Sequence, residues 1–393
     1  MPLIYLVAGA RPNFMKIAPI VRALQQQSAL TFQIIHTGQH YDRDMNEVFF
    51  EELGIPRPDV VMEAGGGTHA KQTARIMVAF EELCQHTRPD AVLVVGDVDS
   101  TLACSIAAKK LGIRVAHVEA GLRSGDTTMP EEINRLVTDS ISDWFFVTEQ
   151  SAVTHLQHEG KAGAAIHYVG HVMVDNVLFQ AARLAAGRAG QVDTSDTSGY
   201  KAAHLADGGR YGVVTLHRPS NVDNQGAMLR LAGALSAIAA ELPLIFPVHP
   251  RTRARLNAFG IDLGPNISVV GPQAYMAFLN LWKDAALVLT DSGGLQEETT
   301  ALGVPCITLR ENTERPVTVE EGSNVLAGTD PARIVAAARQ VLHGQCKPCR
   351  RPYLWDGRAA ERIVAVLADE LNQLAGPARE SICRTMDRTS GLT

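Results

Sequence analysis

Short apolar runs alternate along the chain with longer segments in which apolar residues recur three or four positions apart. The first of these segments places Ile17, Ile20, Val21 and Leu24 on one face of a helix. The apolar runs are continuous in Val, Ile and Leu, which is typical of parallel strands buried on both faces. We therefore predict strands at residues 3–7, 32–36, 91–95, 114–118, 144–147, 166–169, 212–216, 244–248, 267–270, 285–289 and 306–309.

The strands fall into two sets, which predicts two doubly wound α/β domains, at residues 1–180 and 200–356. Residues 184–210 are rich in Ala, Gly, Ser, Thr and Asp and carry little apolar periodicity. We interpret them as a linker or a surface excursion. Ligands of open α/β sheets bind beyond the carboxyl ends of the strands, so we expect the site in a cleft between the two domains.

Length and composition fit this picture and argue against other classes of protein. The chain has 393 residues, of which 46% are hydrophobic and 20% charged, as expected for folded globular domains. The formal net charge of −6 argues against nucleic acid as a partner. No apolar run approaches the ~18 residues that span a bilayer, so we expect no membrane association. The N-terminal sequence MPLIYLVAGA lacks the basic residues of a signal peptide, and we interpret it as a buried first strand.

The six cysteines are scattered, and most lie in apolar segments, which favours free thiols in the cytoplasm. Cys346 and Cys349 have C-x-x-C spacing, but neither a second pair nor a nearby histidine pair completes a metal site. No G-x-G-x-x-G signature follows the first strand, so nothing indicates a bound NAD. We expect neither a metal ion nor a cofactor.

Ionisable side chains follow several of the predicted strands. Asp97, Glu119 and His217 come directly after strands, and Glu131 begins a helix. Clustered carboxylates raise one another's pKa, so one can hold a proton while another is ionised. We therefore predict acid–base roles for these four residues. Two alternatives stay open: a Glu131 that only complements the helix dipole, and Glu132 in place of Glu131 as the functional residue.

A second group of residues is suited to binding a nucleotide. Ser292, Gly293 and Gly294 lie where a strand turns into a helix, and unpaired N–H groups there favour an anion such as phosphate. Glu297 and Glu298 follow closely and would accept hydrogen bonds from a ribose diol rather than face the phosphate. The alternative is a helix cap followed by solvated acids.

Three basic residues fit the same interpretation. Arg315 is a natural second phosphate ligand because its guanidinium donates a fork of hydrogen bonds. Arg11 and Lys16 lie at the first strand end and the first helix, and they add positive charge from the other domain. Each of them could instead be an ordinary surface charge. Their position at strand ends in an acidic protein favours the binding role.

An ordered set of motifs extends through nearly the whole chain: GARPNFMKIAPI, TGQHYD, VVGDVDST, HVEAGLRSGDTTMPEEINR, TLHRPSNVD, GPQAYMAF, and TDSGGLQEE followed by GVP and RENTERP. Over residues 3–372 this set resembles the non-hydrolysing UDP-N-acetylglucosamine 2-epimerases. The resemblance implies two Rossmann-like domains arranged as in family B glycosyltransferases, with a last helix at 357–376 crossing back to the first domain. It also implies a UDP-sugar substrate and a homodimer.

The resemblance carries functional residues over by motif. The residues implied to hold the UDP part are Arg11, Lys16, Gln273, Phe278, Ser292, Gly293, Gly294, Glu298 and Arg315. The residues implied to act near the sugar are Asp97, Glu119, Glu131 and His217. Some members bind a second UDP-N-acetylglucosamine as an allosteric activator, for which the candidates are Gln39, His40 and Arg75. The chain departs from the family pattern at Ala10 and Asn13, where Thr and Glu are frequent.

The implied reaction inverts C2 of UDP-N-acetylglucosamine. Elimination of UDP gives 2-acetamidoglucal, and re-addition gives UDP-N-acetylmannosamine. Four alternatives stay open: a hydrolysing 2-epimerase that releases N-acetylmannosamine and UDP, an epimerase of a modified UDP-N-acetylhexosamine, a glycosyltransferase of the same fold, and an inactive nucleotide-sugar sensor.

Overall fold

The computed structural model describes residues 1–39, 47–187 and 194–389. Its strands are β1 Leu3–Ala8, β2 Thr31–His36, β3 Val60–Val61, β4 Ala91–Val95, β5 Arg114–Val118, β6 Trp144–Val147, β7 Ile166–Tyr168, β8 Gly212–Thr215, β9 Leu244–Pro247, β10 Ile267–Val270, β11 Leu287–Thr290, β12 Cys306–Thr308 and β13 Asn324–Leu326.

The helices are α1 Arg11–Gln25, α2 Glu47–Leu53, α3 His69–His86, α4 Asp99–Lys110, α5 Pro130–Ile141, α6 Gln150–His158, α7 Val172–Ala185, α8 Ser195–Leu205, α9 Pro219–Val222, α10 Gln225–Ala239, α11 Pro250–Ala258, α12 Tyr275–Trp282, α13 Gly293–Leu302, α14 Pro316–Glu320, α15 Pro331–Leu342 and α16 Ala359–Thr389. The chain divides into two compact units. Unit 1 is Met1–Asn176 with Gly357–Thr393, and unit 2 is Val177–Asp356.

Unit 1 contains, within the described residues, a seven-stranded parallel sheet in the order β3-β2-β1-β4-β5-β6-β7. Successive residues of β1 enter different clusters: Ile4 and Leu6 pack with α1 and α16, whereas Tyr5 and Val7 pack with α3 and α4. Both faces of the sheet are therefore covered. This explains why its strands are continuous apolar runs. Helix α16 belongs to the core of unit 1, as the resemblance implies.

Unit 2 repeats the same plan. Its described residues form a six-stranded parallel sheet in the order β10-β9-β8-β11-β12-β13. Side chains cap several of its helices, for example Asn224 Oδ1, which accepts from the N–H of Ala227 at 2.9 Å, and Asp330 Oδ1, which accepts from Arg333 at 3.0 Å. Helix α13 ends at Gly303, whose φ of 73° suits a residue without a Cβ.

The predicted fold class is confirmed, with two parallel sheets and intervening helices. All eleven predicted strands are present, but β3 and β13 were missed because each has only two or three residues. The linker interpretation of residues 184–210 is wrong for 195–205, which form α8. This helix packs on α12, where Asn280 Nδ2 donates to Thr197 Oγ1 at 3.1 Å.

The cysteines whose side chains the structure describes are free thiols. Cys84, Cys104 and Cys306 are buried, whereas Cys346 and Cys349 lie in an exposed segment after α15. Within the described part of the chain, no group of three or more His, Cys, Asp and Glu side chains is arranged to hold a metal ion. No helix in that part is both long and apolar enough to cross a bilayer.

Candidate active site

Each sheet reverses its strand order at one point, and the predicted site residues lie beside these points. In unit 1 the reversal falls between β1 and β4, and in unit 2 between β8 and β11. The loops after these strands diverge, which leaves a crevice at the carboxyl edge of a doubly wound sheet. Arg11 and Asp97 follow β1 and β4, whereas His217 and Ser292 follow β8 and β11.

Lys16 and Glu119 form a buried ion pair in unit 1. Lys16 Nζ lies 2.6 Å from Glu119 Oε2, and the side chains are 15% and 2% exposed. Gly96 packs against this pair, because a Cβ at that position would lie 2.8 Å from Lys16 Nζ. Glu119 has a φ of 69°, a conformation that residues other than glycine rarely adopt and that is frequent at functional sites. The two residues predicted from separate motifs are thus in direct contact.

Asp97 is paired with Arg135, a residue that the sequence analysis did not select. The Arg135 guanidinium also donates to Glu132 Oε2 at 2.6 Å and 2.9 Å. Asn134 fixes the backbone beside it, since its Nδ2 donates to the carbonyl of Asp97 at 2.8 Å. Helix α5 therefore orients Asp97 through two neighbouring residues.

Glu131 and Glu132 differ in their hydrogen-bond partners and their exposure. Both oxygens of Glu132 accept hydrogen bonds, from the backbone N–H groups of Ser124 and Gly125 at 3.0 Å each, in addition to those from Arg135. Burial raises the pKa of Glu132, but these hydrogen bonds outweigh it, and the pKa lies below its usual value. Glu132 thus holds the loop before α5. Glu131 is exposed on the first turn of that helix and is the one available to a ligand.

His117 and Asp139 form a second buried pair beneath the Asp97 turn. His117 Nδ1 lies 2.6 Å from Asp139 Oδ1, and its Nε2 lies 2.9 Å from the carbonyl of Gly96. Asp139 also binds Arg123 Nη1 at 2.8 Å. Burial raises the pKa of Asp139, but the charges and hydrogen bonds of His117 and Arg123 outweigh it and leave the pKa below its usual value. His117 therefore links the turn before Asp97 to helix α5.

Arg11 begins α1, and its guanidinium lies 5.0 Å from the ring centroid of Phe49. Asn13 holds the turn before it, because its Oδ1 accepts from the N–H groups of Ala10 at 2.9 Å and Gly9 at 3.3 Å. The departure from the family pattern at position 13 thus has a structural use here. The asparagine caps the helix that carries Arg11 and Lys16.

Of the possible allosteric residues, Gln39 lies in the loop after β2 and Arg75 lies on α3, whereas His40 falls outside the described residues. Gln39 Oε1 accepts from the hydroxyl of Ser100 at 2.7 Å and from its N–H at 3.0 Å. Arg75 Nη2 donates to the carbonyl of Gly65 at 2.7 Å. A Cβ at Gly65 would lie 1.7 Å from the carbonyl oxygen of Gly38, so the two loops pack directly on each other. Gln39 and Arg75 therefore anchor neighbouring segments.

In unit 2, His217 is oriented by Asp291. His217 Nδ1 lies 2.9 Å from Asp291 Oδ1, and the backbone N–H groups of His217 and Arg218 donate to the same carboxylate at 3.0–3.1 Å. Burial raises the pKa of Asp291, but the hydrogen bonds from His217 and its neighbours outweigh it and lower the pKa. The carboxylate thus fixes Nδ1 as the donor and leaves Nε2 for a ligand. The His217 side chain is 49% exposed.

The start of α13 has the features of an anion site. Ser292 is the N-cap residue, and its side chain makes no capping hydrogen bond. A Cβ at Gly294 would meet none of the described atoms within 4 Å. Packing therefore does not require glycine at position 294. The missing side chain leaves the backbone N–H groups of the first turn accessible to an anion.

The two acids on α13 differ in their partners. Glu297 is paired with Arg315 and therefore orients this predicted phosphate ligand. This contact differs from the predicted one, in which Glu297 accepts hydrogen bonds from a ribose. Glu298 accepts from the hydroxyl of Tyr275 at 3.1 Å. Burial raises the pKa of Glu298 to about 8. The hydrogen bond from Tyr275 lowers this pKa, whereas the charge of Glu297 raises it, and both effects are smaller than that of burial. At neutral pH Glu298 is then mostly protonated, so it can donate as well as accept a hydrogen bond.

Gln273 and Phe278 lie on either side of Tyr275 in the chain, and Tyr275 is the residue that donates to Glu298. Gln273 Nε2 donates to the carbonyl of Gly271 at 3.0 Å in the loop before α12. Phe278 is half-buried on α12. Both side chains keep part of their surface open to solvent, which suits contacts with a flat base.

Sequence reasoning missed Arg135, Asp139 and Asp291, although each contacts a predicted site residue or its turn. The spacing of Glu132, Arg135 and Asp139 along one helix face was an available signal. It does not reveal that Arg135 reaches Asp97, which is 38 positions away in the chain.

Comparison with known proteins gives a consistent result. A model of the family described as UDP-N-acetylglucosamine 2-epimerase matches residues 22–368. The UDP-N-acetylglucosamine 2-epimerase of Methanococcus maripaludis is 39% identical over 371 residues, covering 93% of this chain and 98% of its own. The UDP-2,3-diacetamido-2,3-dideoxy-D-glucuronate 2-epimerase of Pseudomonas aeruginosa is 40% identical over 365 residues, covering 92% of this chain and 98% of its own.

A solved structure agrees with these relatives. The chain matches the crystal structure of Methanocaldococcus jannaschii UDP-GlcNAc 2-epimerase in complex with UDP-GlcNAc and UDP, with a TM-score of 0.79 and 39% identity. The match covers 93% of this chain and 99% of that one. The expected glycosyltransferase-B-like fold and the family resemblance are both confirmed. The chain belongs to the UDP-N-acetylglucosamine 2-epimerase family.

Proposed function

We propose that the protein interconverts UDP-N-acetylglucosamine and UDP-N-acetylmannosamine without hydrolysis, by elimination and re-addition of UDP. The observation that carries this proposal is the cluster of charged groups around Gly96. There the Lys16–Glu119 pair lies against the turn that presents Asp97 and its partner Arg135. Such a cluster supplies both a cation for a departing diphosphate and carboxyl groups for proton transfer.

The chemistry explains why both kinds of group are needed. The hydrogen on C2 of the sugar has no adjacent carbonyl to acidify it, so a carboxylate alone would remove it far too slowly. When UDP leaves C1, the positive charge that develops there acidifies the C2 hydrogen. A base takes that proton, and 2-acetamidoglucal forms. Delivery of a proton to the other face of C2, with return of UDP to C1, completes the inversion.

Each candidate residue has a role in this reaction. Asp97 and Glu131 are the candidates for proton transfer at C2, with Glu119 as a neighbour that shares or supplies a proton. In unit 2, the first turn of α13 and Arg315 would hold the diphosphate, and Glu298 would bind the ribose. His217 would assist the leaving diphosphate through the Nε2 that Asp291 leaves accessible. A firm hold on UDP is essential, because the nucleotide must stay bound until it adds back.

An epimerase of a modified UDP-N-acetylhexosamine is the nearest alternative, and it differs from the proposed enzyme only in the substituents of the sugar. Relatives of the two substrate types have similar identity, 39% for the N-acetylglucosamine enzyme and 40% for the diacetamido-glucuronate enzyme. The same elimination serves both substrates, because C2 and C1 are alike in them. Both UDP-sugars therefore belong in the test.

Proton NMR in deuterated water tests the function directly. With UDP-N-acetylglucosamine we expect the C2 proton signal to disappear and UDP-N-acetylmannosamine to appear, with the sugar still joined to UDP. Free N-acetylmannosamine would instead identify a hydrolysing enzyme. Deuterium exchange at C2 of UDP-2,3-diacetamido-2,3-dideoxy-D-glucuronate, without exchange in UDP-N-acetylglucosamine, would identify the modified sugar as the substrate. A protein that exchanges neither sugar, with or without an acceptor, would contradict the proposal.

We also propose that two copies of the chain pair through the exposed face of α3. A shallow groove of about 430 Å³ lies there, lined by Met62, Ala64, Ala74, Arg75, Val78 and Ala79. Val78 is 57% exposed at the middle of the helix. Lys71 and Arg75 precede it and Glu81 and Glu82 follow it, all exposed. Two antiparallel copies related at Val78 would set the basic half of each helix against the acidic half of the other.

Sedimentation equilibrium checks this pairing. The wild-type protein should be a dimer, and Val78→Asp should be monomeric because it places two buried carboxylates at the symmetry axis. Leu229→Asp is the matched control, since Leu229 is 50% exposed on α10 of unit 2 and should leave the dimer intact. A dimeric Val78→Asp variant, or a monomeric wild-type protein, would refute the proposed surface.

A further inference from the structure

The Lys16–Glu119 pair has an asymmetry that bears on the reaction. Oε2 of Glu119 contacts Lys16, whereas Oε1 is buried and has no hydrogen-bond partner among the residues that the structure describes. The lysine is the more exposed of the two, at 15% against 2% for the glutamate side chain. The ionised state of Glu119 therefore depends on an ammonium group that lies nearer to solvent than the carboxylate does.

The other ionisable groups around Glu119 are engaged elsewhere. Asp97 after β4 is paired with Arg135 of α5. His117 of β5 is bound between a carboxylate of α5 and the carbonyl of Gly96. Over the described part of the chain, Lys16 is thus the cation that compensates Glu119.

We propose that the diphosphate of the UDP-sugar draws Lys16 away from Glu119, and that Glu119 then takes up one proton from solvent. This inference rests on the proposed function, because it requires a diphosphate beside Lys16. A diphosphate carries more negative charge than one carboxylate, and the flexible lysine stem allows the ammonium to reorient. A carboxylate left buried without its counter-ion is neutralised by taking up a proton rather than staying charged.

The consequence is a division of roles that appears only when the nucleotide is bound. Asp97 keeps its contact with the Arg135 guanidinium and serves as the proton acceptor. Glu119 becomes a carboxylic acid, so it can donate one. Substrate binding itself thereby prepares a neighbouring acid and base, which the reaction needs on C2. When the UDP-sugar product dissociates from the protein, Lys16 returns to Glu119, and Glu119 releases its proton to solvent.

Isothermal titration calorimetry measures the proton uptake. UDP is titrated into the protein at constant pH in buffers of different ionisation enthalpy, and the slope of the binding enthalpy gives the protons taken up per UDP. The wild-type protein should take up about one proton more than Glu119→Gln. Protonation of UDP itself contributes equally to both proteins and cancels. Glu51→Gln removes an exposed acid and should match the wild type.

A second variant and a second readout make the result independent of how well Glu119→Gln folds. Lys16→Met removes the ammonium group that the diphosphate would draw away from Glu119, so the extra uptake should be lost and UDP should bind more weakly. Infrared difference spectra should show a new protonated-carboxyl band when UDP binds to the wild-type protein, and no new band in Lys16→Met. UDP binding with equal proton uptake in the wild type and Glu119→Gln would overturn this inference alone. A wild-type protein that binds no UDP would overturn the proposed function and this inference with it.

Discussion

The Asp97→Asn variant is expected to lose at least about 100-fold in kcat for C2 epimerisation, while its affinity for UDP stays that of the wild type. Asparagine has nearly the shape of aspartate but cannot accept a proton at neutral pH. The Arg135 guanidinium keeps its contacts with Glu132, so the turn should retain its conformation. Solvent-deuterium exchange at C2, followed by NMR, measures the chemical step, and calorimetry measures UDP binding.

Asp90→Asn is the matched control for this variant. Asp90 lies at the opposite end of the same strand, where it is exposed and its Oδ2 accepts from the N–H of Leu3 at 2.7 Å. The control should therefore exchange C2 at the wild-type rate. Undiminished exchange in Asp97→Asn would remove Asp97 from the proton transfer and leave Glu131 as the candidate. Loss of UDP binding in parallel would mean that Asp97 holds the substrate rather than the proton.

The Asp139→Asn variant is expected to lose about 3–5 kcal/mol of unfolding free energy. The Asp139 side chain is 0% exposed and contacts both His117 and Arg123. Its neutralisation leaves the buried Arg123 guanidinium without this carboxylate and weakens the contact with His117. Urea denaturation followed by circular dichroism measures the loss.

Asp143→Asn is a control at a nearby acid that also has two basic partners. Asp143 lies 2.8 Å from Lys109 and 3.0 Å from Arg114, but its side chain is partly exposed. Solvent screens such pairs, so the same substitution there should cost about 1 kcal/mol. If Asp139→Asn and Asp143→Asn lose the same unfolding free energy, the buried contacts of Asp139 with His117 and Arg123 stabilise the protein no more than a partly exposed ion pair does.

The Asp139 pair also sets the acid limit of stability. Its pKa in the folded protein is lowered, so in acid the unfolded chain binds more protons than the folded one. The contribution is therefore complete above the unfolded pKa of about 3.9 and is lost as the pH falls below it. The difference in stability between the wild type and Asp139→Asn should therefore narrow as the pH falls through that range.

The sequence by itself determined the architecture and the set of candidate residues. Continuous apolar runs, separated by segments with helical spacing, are buried on both faces when they form parallel sheets covered by helices. Strands such as β4 and β11 were therefore predictable. The position of Asp97 and His217 directly after strands followed from the same pattern. Strands β3 and β13 and helix α8 were not predictable, because short edge strands and a helix of weak amphipathicity leave little periodic signal.

Only the tertiary structure decided which charges meet. Glu119 lies 103 positions from Lys16, and Asp291 lies 74 positions from His217, yet each pair is in contact. No local pattern encodes such pairs, because they arise from the order in which strands are placed in a sheet. The same contacts distinguish Glu132, whose oxygens both accept hydrogen bonds, from the exposed Glu131, and they pair Glu297 with Arg315. Side-chain chemistry was readable along the chain, whereas the compensation of each buried charge depends on neighbours that only folding brings within a few ångströms.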